Sequence, residues 1–325
     1  MMEVTPVAAR TWSRLGQRGA IFGIALPEMA KKKDNLLVLT ADLGFLSGLD
    51  RFKSLFPDKL INVGVAEQNM IGIAAGLAKE GNCAVATTYA TFITMRCFEQ
   101  IRNNLGYMGF NVKLVGSAAG LAAGMMGSTH YALEDIALMR SVPNITILSP
   151  ADGTEAVKMF CAMLEMDCPA YMRLTGELNC PVIYKSEYDF EIGKGVVLRE
   201  GFDAAIVATG VLVNEALIAA DKLRDSAISC TVVDMHTIKP LDAQLLDRLF
   251  ESHKLIVTVE EHHVTGGLGS AVAEYKAASD SSRPQLIIGV PDCFPHAADY
   301  SDLLERFGLT AQGIAGRIKD KLAGI

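Results

Sequence analysis

The chain has 325 residues, half of them hydrophobic and 21% charged, and carries a net charge of -7. That length holds two domains of ordinary size, and that composition excludes a disordered chain. Acids and bases are interspersed without a basic face, which excludes nucleic acid as an expected partner.

The N-terminal 18 residues lack a signal-like apolar core. No stretch approaches the roughly 18 uninterrupted apolar residues of a membrane span. The seven cysteines are scattered and none forms a Cys-x-x-Cys pair, the usage of reduced thiols. A soluble, cytoplasmic protein with no membrane contact is expected.

Residues 14–33 read as a first helix, closed by Lys31, Lys32 and Lys33 as a helix C-terminus favours. Strands follow at 36–40, 61–65, 83–87, 111–115, 145–148 and 170–174. The runs between them carry helical patterns at 67–80, 92–105, 131–140 and 152–165. Residues 116–129 form a Gly/Ala/Ser loop, long enough to suggest a functional role. Uniformly apolar strands alternating with helices predict a parallel sheet covered on both faces. The rhythm breaks over 175–200, then restarts with strands near 205–208, 231–233, 255–259 and 286–289. The fold class expected is therefore α/β, two consecutive three-layer domains with mostly parallel sheets. Residues 1–185 are assigned to the first domain, 186–200 to a linker and 201–325 to the second.

Four features can carry chemistry at the strand ends, where such folds bind ligands. Glu67 stands where an apolar strand becomes an Ala/Gly-rich helix, with almost nothing ionisable near it in sequence. An unpartnered charge there is costly, so it serves either the helix dipole or a ligand. Tyr89 and Phe92, with Phe98 beyond, are either core residues or a slot for a flat heterocycle. His130 ends the small-residue loop as a helix-start hydrogen-bonder or a proton-transfer group. Arg173 ends an apolar strand, to pair with an acid or to bind an anionic substrate group.

Other signals are weaker. Gly266-Gly267-Leu268-Gly269-Ser270 opens a helix, where backbone N–H groups can approach an anion, although tight packing explains it equally well. Adjacent His262 and His263 have the wrong spacing for a metal and read as solvated strand-end residues. His236 reads as structural. No Gly-x-Ser-x-Gly elbow occurs and no cysteine has a local activator.

Taken together, these residues resemble the transketolase family. Gly64-Val65-Ala66-Glu67-Gln68-Asn69-Met70-Ile71-Gly72, Tyr89-Ala90-Thr91-Phe92 with Met95-Arg96, Thr129-His130 and Ser149-Pro150-Ala151-Asp152 look like its pyrimidine-binding domain. Asp234-Met235-His236-Thr237-Ile238-Lys239-Pro240-Leu241, Glu260-Glu261-His262 and Gly266-Gly267-Leu268-Gly269-Ser270 look like its C-terminal domain. The resemblance covers nearly the whole chain.

It implies thiamine diphosphate as cofactor and transfer of a two-carbon ketol unit from a ketose to an aldehyde. It implies that Glu67 shares a proton with a pyrimidine nitrogen, that Phe92 and Tyr89 pack on that ring with Phe98 near, and that Asp42 is a cofactor-side acid. It implies that His130 faces the substrate and that Arg173 binds the sugar-phosphate end. The family's Gly-Asp-Gly motif, which holds the diphosphate and a Mg2+ or Ca2+ ion, does not occur here. The chain thus resembles the C-terminal subunit of a split enzyme. Its partner would be a separate N-terminal subunit, and an α2β2 heterotetramer is expected.

Three positions depart from the family's pattern. Met126 replaces an acid that contacts a substrate hydroxyl, and Ala118 replaces a histidine in the same loop. Tyr131 stands where Gln is common. A site built to bond a hydroxyl rejects analogues lacking it, and a methionine makes no such demand. Cofactor activation is expected intact, with a substrate that is less hydroxylated, bulkier or more apolar than a common sugar phosphate. Alternative expectations are the beta subunit of a 2-oxo-acid dehydrogenase, a deoxyxylulose-phosphate synthase, and a non-catalytic partner of the same fold.

Overall fold

A strand that is apolar on both faces needs a helical layer on each side. The computed structural model, which describes residues 2–325, meets this requirement twice. The first half supplies β1 (Leu36–Thr40), β2 (Leu60–Asn62), β3 (Cys83–Tyr89), β4 (Val112–Ser117), β5 (Thr146–Leu148) and β6 (Ala170–Arg173). The second supplies β7 (Val196–Arg199), β8 (Ala204–Ala208), β9 (Cys230–Asp234), β10 (Thr237–Lys239), β11 (Leu255–His263) and β12 (Gln285–Val290). One sheet runs β10-β5-β6-β4-β3-β1-β2 and the other β12-β11-β8-β9-β7. All pairings are parallel except β10 with β5 and β7 with β9.

The alternation along each strand splits the core into layers. In β3, Val85 packs with Val38, Val115 and Phe160 on one face, while Ala84 and Ala86 meet Met70, Ile93 and Ile101 on the other. In β8, Ile206 joins one cluster while Ala205 and Val207 join another. β10 is the exception to a simple two-part chain. It follows β9 in sequence but pairs with β5, Thr237 opposite Leu148, and so stitches the second half onto the first sheet. Among the described residues no helix is long and apolar enough to cross a membrane.

The first helix begins earlier than its apolar pattern predicts. Thr5 caps it, accepting from the Ala8 N–H at 3.1 Å, and Pro6 occupies its first turn. It bends at Gly16, where φ is 67° and a Cβ would lie 2.7 Å from the Glu177 carbonyl oxygen. The helix expected over 92–105 is wound differently. π-Helical turns at Phe92–Arg96 and Ile101–Tyr107 flank a short α-helical turn. Turns of that kind gather at functional sites, and the first of them shapes the site described next.

Candidate active site

The parallel strands of the first sheet all end on one edge. β1 leads to Asp42, β2 to Glu67, β3 to Tyr89 and Phe92, and β4 to the loop that carries Ala118, Met126 and His130. Glu67 is the first residue of the helix Glu67–Lys79 and is only 4% exposed. It is not alone there. Its Oε1 accepts from Arg96 Nη1 at 2.5 Å. Sequence spacing gave no sign of this partner, which lies 29 residues away and arrives on the π-helical turn Phe92–Arg96.

Arg96 is held from two further directions. Its guanidinium sits over the Phe92 ring, 4.3 Å from the centroid, and its carbonyl accepts from Gln68 Nε2 at 3.1 Å. The neighbouring Cys97 thiol is pushed up to about 12, first by burial and then by the Glu67 carboxylate. It stays a neutral thiol and competes for no proton at the site.

Three of the expected residues come together. Tyr89 and Phe92 have ring centroids 5.7 Å apart, and the His130 ring stands edge-on to both, at 6.1 and 5.4 Å. Tyr89 is buried, while Phe92 and His130 are half-buried. His130 Nδ1 is engaged by Thr129 Oγ1 at 2.9 Å, so Nε2 is the nitrogen left for a ligand.

The loop before His130 is closed by mutual backbone bonds between Gly120 and Ala132, both 3.0 Å. Tyr131 is buried and donates to the Gly124 carbonyl at 2.6 Å, a structural use of that side chain. The second domain pins the loop further. Glu261 Oε1 accepts from the Leu121 N–H at 2.6 Å, and Ser128 donates to the Pro295 carbonyl at 2.5 Å. Met126 lies on the 3₁₀ turn Gly124–Met126 and is exposed, as is Met125.

Other expectations need correction. Arg173 does not reach the surface. It is fully buried, with Nε and Nη2 bound to the two Asp135 oxygens at 2.8 and 3.1 Å, and it also donates to the Glu261 carbonyl at 3.0 Å. It is therefore a buried ion pair of the fold and not a substrate anchor. Phe98 does not join the aromatic cluster; it packs against the core around Met70, Ile101 and Leu105. His262 is not solvated. β11 runs nine residues, beyond its apolar run, and carries Glu260, Glu261 and His262 under the helix Asp135–Ser141.

Burial pushes the His262 imidazole down to about 4 and the Glu260 and Glu261 carboxyls up to about 7. The glycine cluster is also structural. The Glu260 carboxylate accepts from the Leu268 and Gly269 N–H groups at 2.6 and 2.7 Å, filling that helix N-terminus from within. Asp42 is exposed at the end of β1 with φ 60°, and its Oδ1 accepts from Asn62 Nδ2 at 3.1 Å.

The arrangement suits a flat, nitrogen-bearing ring. Glu67 Oε2 has no partner among the described residues, and the Tyr89, Phe92 and His130 rings lie nearby. A cavity of about 230 Å³ is lined by Gln17, Arg18, Ala118, Ala122, Thr175 and Glu177, among others, and meets the loop after β4 at Ala118 and Ala122.

Residues 18–180 match the transketolase pyrimidine binding domain, and residues 193–314 the transketolase C-terminal domain. The chain is 40% identical over 303 residues to a protein of Methanocaldococcus jannaschii named as a transketolase C-terminal section, covering 93% of this chain and 95% of that one. It is 40% identical over 291 residues to a 6-deoxy-6-sulfo-D-fructose transketolase subunit, SqwH, of Clostridium sp. strain MSTE9, covering 89% of each. It is 37% identical to a 1-deoxy-D-xylulose-5-phosphate synthase of Chlorobium luteolum, of which it spans 48%. Among solved structures it is similar to a split-gene transketolase described as an inactive beta4 tetramer, with a TM-score of 0.85, 38% identity, and coverage of 94% of this chain and 98% of that one.

Proposed function

The chain belongs to the transketolase family, and on that premise we propose that it is the C-terminal subunit of a split, thiamine diphosphate-dependent enzyme moving a two-carbon ketol unit from a ketose to an aldehyde. The observation that carries this reading is the buried Glu67 carboxylate, with one oxygen free, beside the Tyr89–Phe92–His130 aromatic cluster.

When bound, the cofactor supplies the carbanion and the electron sink for breaking a bond next to a carbonyl. This chain's part is to hold and orient. Glu67 Oε2 would accept from or share a proton with a pyrimidine ring nitrogen, and Phe92 and Tyr89 would cover that ring and keep water from it. His130 Nε2 hydrogen-bonds a substrate oxygen and passes a proton to or from it. Asp42 stands on the cofactor side of the same edge.

The diphosphate and its Mg2+ or Ca2+ ion fall to a separate N-terminal subunit. Two observations support that division. A relative matched over 95% of its length is named as a C-terminal section, and the similar beta4 assembly of a split-gene transketolase is described as inactive. The working enzyme is an α2β2 heterotetramer in the cytoplasm.

Ala118 and Met126 bring no hydrogen-bonding side chain to the loop before His130, and the cavity at Ala118 carries only Arg18 and Glu177 as charged groups. The donor is therefore a ketose whose distal end differs from that of a common pentose or hexose phosphate. The relative named for 6-deoxy-6-sulfo-D-fructose fits such a divergence.

The test is co-purification with a partner subunit bearing a Gly-Asp-Gly…Asn motif, followed by ketol-transfer assays with and without thiamine diphosphate. Glu67→Ala should lower turnover by more than about 100-fold. Unchanged turnover in that variant would leave only a structural role. Full activity on xylulose 5-phosphate with ribose 5-phosphate would overturn the substrate reading. Transfer from pyruvate to an aldehyde would make the enzyme a synthase of the deoxyxylulose type.

A further inference from the structure

We infer that Arg96 is a positioning residue for Glu67, tying one carboxylate oxygen so that the other is aimed at the cofactor's pyrimidine ring; this rests on the functional reading above. Three observations converge on it. The Glu67 Oε1 to Arg96 Nη1 contact is 2.5 Å, and it takes the guanidinium of a half-exposed side chain to a carboxylate that is almost fully buried. Oε2 has no partner among the described residues, so the pairing leaves one oxygen as the ligand's acceptor.

Arg96 is itself fixed. The π-helical turn Phe92–Arg96 sets its guanidinium 4.3 Å from the Phe92 ring centroid, and Gln68, next to Glu67, holds its carbonyl at 3.1 Å. Glu67, Gln68, Phe92 and Arg96 thus form a closed loop of contacts that joins the carboxylate to the aromatic face.

An ion pair made only for stability has no need of this geometry. An arginine free on the surface gains little from a pair and loses side-chain entropy in forming it. Here the pair restricts rotation about the last bonds of the Glu67 side chain. It also supplies a permanent positive charge, since a guanidinium does not lose its proton. A glutamate held at a single oxygen by a planar cation presents the second oxygen in one direction. Such pre-organisation matters because a misplacement of about 1 Å near the chemistry can cost on the order of 100-fold in rate. The stacked guanidinium also sets the Phe92 ring, so the donor to Glu67 and the cover for the heterocycle move together.

The experiment uses the complex of this chain with its diphosphate-binding partner. Arg96→Gln, Arg96→Met and Arg96→Lys are compared with the unaltered complex and with Glu67→Ala. Three quantities are read: the thiamine diphosphate concentration at half-saturation, the near-ultraviolet circular dichroism of the bound aminopyrimidine, and kcat. Melting temperature and assembly are checked alongside.

Arg96→Gln and Arg96→Met should assemble, bind the cofactor within about fivefold of the unaltered complex, lose or change the circular dichroism signature, and drop kcat by roughly 10- to 100-fold. Arg96→Lys, which keeps the charge, should recover part of both kcat and the signature. A purely structural arginine would lower melting temperature and leave the signature of the assembled fraction intact, and that result overturns the inference. So does a kcat for Arg96→Met within twofold of the unaltered complex while Glu67→Ala is inactive. If Glu67→Ala itself retains turnover, the functional reading falls first, independently of Arg96.

Discussion

Arg173 and Asp135 meet through two hydrogen bonds, Nε to Oδ2 at 2.8 Å and Nη2 to Oδ1 at 3.1 Å, with neither side chain exposed. Tyr171 adds a third bond to the same carboxylate at 2.6 Å, and the Glu261 carbonyl takes another from Arg173 at 3.0 Å. The pair therefore locks β6, the helix Asp135–Ser141 and β11 together, across both domains.

Removing one partner strands the other as a buried charge. Arg173→Ala should destabilise the fold by about 3–5 kcal/mol, whereas a paired Arg173→Met, Asp135→Leu replacement should cost less. Urea midpoints with unchanged m-values measure both. A loss below 1 kcal/mol for Arg173→Ala would mean that the pair does not bear on folding.

What the sequence made legible follows from how local each signal is. Strand positions and the meeting of Glu67, Tyr89, Phe92 and His130 at one sheet edge were readable, because strand ends of a parallel sheet converge wherever the alternation holds. Arg96 was not, because its π-helical turn and its bond to Glu67 join segments 29 residues apart. Arg173 was misassigned for the same reason. Its acid lies 38 residues earlier, on a helix whose packing the strand pattern does not encode. His262 and Glu260 looked exposed because the apolar run stops at Val259. Only the docking of the two domains buries the residues after it.

Two buried carboxyls, Glu155 and Asp234, lie at the joint between the domains. Asp234 Oδ2 accepts from the Tyr184 hydroxyl at 2.8 Å, and Glu155 Oε1 accepts from the Tyr188 hydroxyl at 3.2 Å. Asp234 Oδ1 is buried without a hydrogen-bond partner. Burial first, and Asp234 second, hold Glu155 well above the usual carboxylate range; burial pushes Asp234 up to about 7. Glu260 and Glu261 also reach about 7.

For all four acids the folded state binds more protons than the unfolded one, so their contribution is complete below the ordinary carboxylate values and is lost as pH rises, by about pH 7 for Asp234, Glu260 and Glu261 and through its own raised value for Glu155. His236 and His262, pushed by burial down to about 4, act in the opposite sense, but only up to their ordinary value of 6.5. Stability should therefore fall from about pH 4.5 to about pH 7, more steeply above 6.5 where the two histidines no longer oppose it, and above about pH 8 the buried Lys113, lowered to about 8, acts in the opposite sense. Asp234→Asn keeps an acceptor for Tyr184 and a donor toward Glu155. It should flatten that fall by up to about 1.4 kcal/mol per pH unit. Urea midpoints across the window decide this, and an unchanged slope would exclude Asp234 from the titration.

The helix that begins at Leu268 is capped by Glu260 and not by a ligand. A Cβ on Gly267 would lie 2.0 Å from Glu260 Oε2. Gly267→Ala must displace the carboxylate from the Leu268 and Gly269 N–H groups, and a cost of about 1–3 kcal/mol is expected. Added phosphate should not raise the melting temperature of the unaltered chain through this site. A phosphate-dependent rise that Gly267→Ala abolishes would restore anion binding there.

Met126 offers the sharpest view of substrate choice. It is exposed on the turn before His130, so replacing it should disturb the fold little. In the assembled enzyme, Met126→Asp would add a carboxylate to the loop that the proposed function turns toward the substrate. A site that bonds a hydroxyl discriminates strongly against the analogue lacking it, whereas an apolar lining discriminates weakly. The ratio of kcat/KM for a hydroxylated ketose phosphate to that for its deoxy analogue should rise by about 10-fold or more in the variant. An unchanged ratio, with both substrates still turned over, would remove Met126 from the substrate path and return the question of specificity to Ala118 and the cavity beside it.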